Sequence, residues 1–76
     1  MGPMTINVRG LTCSDAVVLL HKTLTPLEEG AVVRITADDW AVLIDLKKYA
    51  ARGGHAWVAE KKGDDGSYQV EVKRGA

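Results

Sequence analysis

The chain has a single cysteine, only two prolines and no net charge. A lone cysteine cannot close an internal disulfide, which excludes a small secreted fold stapled by disulfides. Ten basic and ten acidic residues cancel, and the basic ones are spread from Arg9 to Arg74. A nucleic-acid-binding domain of this size would gather them on one face, so nucleic acid is an unfavoured partner. No apolar run approaches the roughly 20 residues of a membrane-spanning helix. No charged stretch leads into an apolar one as in a signal peptide, and a cytoplasmic location without membrane contact is expected. The 46% apolar and 26% charged residues are the composition of a folded globular domain. With 76 residues there is room for one domain, expected over 4–76, and residues 1–3 read as an expression remnant before a native start at Met4. So small a domain has a thin core, which places any chemistry at the surface or at the end of an element.

Polar and apolar residues alternate over 5–9, with Ile6 and Val8 on one side, which predicts a strand. Over 16–27, Val17, Leu20, Leu24 and Leu27 step by helical spacing, and Pro26 makes the last turn irregular or already finished. Thr12, Cys13, Ser14 and Asp15 lie where the N-cap of that helix must fall. Residues 31–37 predict a second strand. Asp38 and Asp39 then stand as caps before a helix over 40–52, which Gly53-Gly54 stops. Strands over 55–61 and 67–73 flank the hairpin signal Gly63-Asp64-Asp65-Gly66. The order is β-α-β-α-β-β. Alternation within the strands predicts a sheet covered on one side only. The fold class is therefore α+β, a two-layer α/β sandwich with a four-stranded mixed sheet and both helices on one face.

Cys13 is the residue with a chemical claim. At a helix N-terminus the free backbone N–H groups and the dipole favour a thiolate, the nucleophilic form of the side chain. Ser14 can donate its hydroxyl to the sulfur, whereas Asp15, in the same first turn, repels a thiolate and raises its pKa. Trp40 at the start of the second helix is a candidate partner contact or a satellite of the core. His21 reads as a solvated surface residue and His55 as a turn residue. Lys47, Lys48 and Arg52 form a small basic face that reads as solvated surface.

The run Val8-Arg9-Gly10-Leu11-Thr12-Cys13 resembles the opening of the TusA/SirA family of sulfur carriers, a strand followed by a Gly-Leu-x-Cys loop. The resemblance continues through Val17, Val18, Lys22, Leu24, Leu27 and Gly30. It is fullest at Asp38-Asp39-Trp40-Ala41, Asp45-Leu46, Tyr49-Ala50 and Gly54-His55. Where the family has Cys-Pro-x-Pro, this chain reads Cys13-Ser14-Asp15-Ala16, and Trp40 replaces the proline after the Asp-Asp pair. The resemblance implies a sulfur carrier with Cys13 as the sulfur-bearing residue, working without metal or cofactor. Its implied partners are a sulfur donor, a cysteine desulfurase or another sulfurtransferase, and an acceptor protein in tRNA thiolation or dissimilatory sulfur metabolism. The alternative is a non-catalytic interaction module that kept the fold and lost sulfur transfer.

Overall fold

The structure is a computed structural model that describes residues 4–75, so the remnant expected at 1–3 lies outside the described residues. Its elements are β1 (Met4–Asn7), α1 (Cys13–Leu24), β2 (Val32–Ala37), α2 (Trp40–Arg52), β3 (Ala56–Lys62) and β4 (Tyr68–Lys73). The order and the α+β class are those expected from the sequence.

Period-two patterning orients the central strands. Val33, Ile35 and Ala37 of β2 and Val70 and Val72 of β4 are buried, while the adjacent Arg34 and Gln69 are exposed. The sheet runs β1-β2-β4-β3. β1 pairs parallel with β2, placing Ile6 opposite Ile35. β4 lies between β2 and β3 and is antiparallel to both. The second crossover helix therefore joins two strands of the same direction that do not touch, and only β1–β2 is a parallel pair.

Capping sets the helix starts. Thr12 is extended, and its Oγ1 accepts the Asp15 N–H at 3.1 Å, so α1 begins at Cys13, three residues before its apolar stripe. The helix stops at Leu24, ahead of Pro26, and the Arg74 guanidinium Nε donates to the freed Leu24 carbonyl at 2.9 Å. Asp39 caps α2, its Oδ1 accepting the Ala41 N–H at 2.9 Å. At the far end Gly54 takes a φ of +75°, a conformation natural to glycine. This lets the His55 N–H reach the Ala50 carbonyl at 2.8 Å and turns the chain into β3.

One cluster forms the core: Leu20 and Leu24 from α1, Leu43 and Leu46 from α2, and Val33, Ile35, Val70 and Val72 from the sheet. Both helices contribute to it, so both cover the same face. Each such side chain contributes on the order of 2 kcal/mol by its removal from water. β3 departs from the expected alternation. A register shift between Trp57 and Ala59 interrupts it, and the charged Glu60 and Lys62 lie opposite Val70 and Tyr68. The reason is its place at the edge of the sheet, where every residue of β3 except the half-buried Trp57 stays exposed.

Candidate functional site

Cys13 is the first residue of α1 and is half-buried. The turn that delivers it is made at Gly10, whose φ of +78° allows the Leu11 N–H to reach back to the Val8 carbonyl at 3.1 Å. The side chain opens on a groove between α1 and α2. Cys13, Ser14 and Val17 form one wall, and Asp45, Tyr49 and Arg52, with Lys48 at the rim, form the other.

The electrostatics of this groove differ from the sequence-based expectation in their source. The thiol pKa is raised above its ordinary value, and the largest cause is the half-buried Asp45 carboxylate, which offers the S–H a hydrogen-bond acceptor. Partial desolvation adds to this, and repulsion of the thiolate by Asp45 and Asp39 follows. The backbone N–H of Cys13 itself pulls the other way. The amide of Cys13 does act in the expected sense, but the carboxylates of α2 and its cap oppose it and prevail. Asp15 is not among the groups that act on the sulfur: its side chain is exposed, and its backbone N–H is engaged by Thr12. Ser14, also exposed, lines the groove beside Cys13.

Trp40 lies on the other flank of α2. It is 50% exposed, with its ring tilted against that of Tyr68 at 5.5 Å. Asp39 is a cap, as its position in the sequence indicates, and Asp38 is exposed. His21 does more than face solvent. Its Nδ1 is 2.8 Å from the Tyr49 hydroxyl, and the two rings meet edge to face at 5.9 Å. His55 likewise does more than make a turn. Its Nδ1 accepts the Gly75 N–H at 2.9 Å, which leaves the ring proton on Nε2, and desolvation followed by the charge of Arg74 lowers its pKa. Tyr49 thus stands between the Cys13 groove and a pair of histidines.

Asp45 and Tyr49 are the groove residues that reading for chemistry passed over. A signal was available. Asp45 interrupts the apolar run from Val42 to Leu46, and Asp45, Lys48, Tyr49 and Arg52 recur at i, i+3, i+4 and i+7, one side of a helix. What local reading lacks is the α1–α2 packing that brings residue 45 to residue 13.

A family model for the sulfurtransferase TusA matches residues 4–74. The sulfur carrier protein TusA of Pseudomonas entomophila is 28% identical over 72 residues, which cover 95% of this chain and 89% of that one. A putative sulfur carrier protein of Archaeoglobus fulgidus is 28% identical over 71 residues, covering 93% and 96%. Among solved structures, the SirA-like protein of Desulfitobacterium hafniense superimposes with a TM-score of 0.84 at 28% identity, covering 96% of this chain and 99% of its own.

Proposed function

The chain belongs to the TusA family, and on that premise we propose that it is a sulfur carrier whose Cys13 accepts a sulfane sulfur and relays it to an acceptor protein. The donor is a cysteine desulfurase or another sulfurtransferase that carries a persulfide, and the exchange takes place in the cytoplasm. Cys13 loses its proton to solvent, and its thiolate attacks the outer sulfur of the donor persulfide. A new S–S bond forms on Cys13 as the donor S–S bond breaks, and the donor leaves as a thiolate. The second transfer repeats these steps, with an acceptor thiolate as nucleophile and Cys13 as leaving group. No oxidant or reductant is consumed, because the sulfane sulfur moves with its oxidation state unchanged. Ser14, exposed in the groove beside Cys13, has a hydroxyl that can donate to the loaded sulfur, and Asp15 adds negative charge to the first turn.

The observation that carries this reading is the placement of the chain's one thiol. It stands at the first turn of α1, in an open groove, at the position where the TusA/SirA pattern has its cysteine. One observation favours the second reading, an interaction module without transfer chemistry: Asp45 biases the thiol toward its protonated, less nucleophilic form. Mass measurement after incubation with a cysteine desulfurase and cysteine separates the two. A gain of one sulfur, about 32 Da, removable by reductant and absent from Cys13→Ser, supports the carrier. An unchanged mass, in a protein whose Cys13 is still alkylated by iodoacetamide, leaves the interaction module.

A further inference from the structure

α2 stands as a ridge between two grooves. The groove on its α1 side holds Cys13. The one on its β3 side has an apolar floor of Leu43 and Ala51, with Trp40 and Ile44 beside it. Trp40 is 50% and Ile44 38% exposed, one helical turn apart on the same side. We propose that this β3-side flank, up to the crest at Lys48, docks an acidic segment of the protein that exchanges sulfur with Cys13, with Trp40 and Ile44 as the apolar anchor.

Charge indicates the occupant. Lys47 and Lys48 line the groove, and among the described residues neither pairs with a carboxylate. Among the described residues the ion pair found is Arg34–Glu71, at 3.9 Å on the sheet. The groove's own carboxylate, Glu60, accepts the Trp57 indole N–H at 3.1 Å. A third ammonium, Lys62, lies over the Tyr68 ring at 5.8 Å, and that ring is the one that supports Trp40. In a chain of zero net charge, a groove lined by two lysines and one carboxylate, with Lys62 nearby, carries a local positive excess that a carboxylate-rich segment complements.

Continuity indicates its role. Lys48 lines both grooves, so a segment lying on the β3-side flank ends within one helix diameter, about 10 Å, of the Cys13 groove. A partner whose sulfur must bond to Cys13 has to cover the surface next to it, and Trp at the centre of such a surface is a frequent energetic anchor. The proposal rests on the carrier reading, and the experiment separates the two.

Loading of Cys13 is followed by mass from two donors, sodium tetrasulfide and a cysteine desulfurase with L-cysteine. The proteins compared are the wild type, Trp40→Ala and Lys47→Glu. Neither substituted residue lines the Cys13 groove. Both variants are expected to load from tetrasulfide at the wild-type rate and from the desulfurase about tenfold more slowly or worse. The Lys47→Glu deficit should shrink at high salt. Equal, non-zero desulfurase rates for all three proteins overturn the docking surface and leave the carrier reading standing. No loading of the wild type from the desulfurase overturns the carrier reading, and the docking surface with it. A variant slowed equally with both donors marks its residue as structural and removes it from the surface. Binding to phosphatidylglycerol vesicles that is lost in Trp40→Ala, without a loading defect, overturns the assignment in favour of a membrane.

Discussion

The two flanks of α2 come from one 13-residue helix and meet different neighbours. Toward α1, Asp45 and Tyr49 are half-buried, and the carboxylate holds the Cys13 thiol toward its protonated form. Toward β3, Trp40 and Ile44 remain exposed beside unpaired lysines. The contrast arises in the neighbours. α1 packs closely enough on α2 to bring charged groups together and shift a pKa. β3, an edge strand with a register shift, gives α2 too little cover to bury an indole. One flank therefore controls reactivity and the other offers contact, and substitutions should separate the two.

Both flanks stand on the same floor, and removing it should have the largest effect. Leu46 is fully buried beneath α2. Leu46→Ala should cost roughly 2–5 kcal/mol in urea denaturation and abolish the distinction between the flanks; a loss below about 1 kcal/mol would show that they do not share a floor. Asp45→Asn acts on one flank only. It removes the acceptor and the repelling charge that raise the thiol pKa, so more thiolate is present at neutral pH. Alkylation at pH 7 should become several-fold faster and its pH profile should move to lower pH. Trp40→Ala should leave that profile in place, and Asp15→Asn should move it less than Asp45→Asn does. A larger response to Asp15→Asn would return control of the thiol to its own helix.

Trp40→Ala should cost no more than about 1.5 kcal/mol of stability, since half of the indole is already in water. A loss near 3 kcal/mol would make it a core residue and erase the comparison. The smallest effect belongs to His55. Its lowered pKa means that the folded protein binds this proton less readily than the unfolded chain does. Its contribution is therefore full above about pH 6.5, the ordinary histidine value, and is lost as pH falls below that through the folded value. Protonation costs the Nδ1 acceptor its bond to Gly75, worth about 1 kcal/mol or less. The melting temperature should fall between pH 7 and pH 5 by a degree or so more in the wild type than in His55→Asn. Identical acid sensitivity would show that the bond contributes nothing.

Most of the fold was legible in the sequence because its determinants are local. Alternation oriented β2 and β4, Asp39 marked a cap, and Gly53-Gly54 marked an end. The boundary of α1 was displaced because an apolar stripe records where a helix is buried, whereas capping by Thr12 records where it starts. Within the site, Cys13 and its helix start were legible. The carboxylate that governs it was not, because Asp45 is 32 positions away and reaches it only through α1–α2 packing. The insertion of β4 between β2 and β3 escaped for a similar reason. Two crossover helices are compatible with several strand orders, and no local pattern selects among them.

The edge strands also bear on colloidal behaviour. A protein with no net charge has little long-range repulsion to keep copies apart, and an open sheet edge is a template for pairing with another chain. Neither edge here is a good template. Among the described residues β1 offers only four, and β3 carries an irregularity between Trp57 and Ala59 together with the adjacent lysines Lys61 and Lys62. An incoming strand would meet a broken hydrogen-bond ladder at one end of β3 and clustered positive charge at the other. The register shift that leaves α2 partly uncovered thus also keeps the sheet from growing.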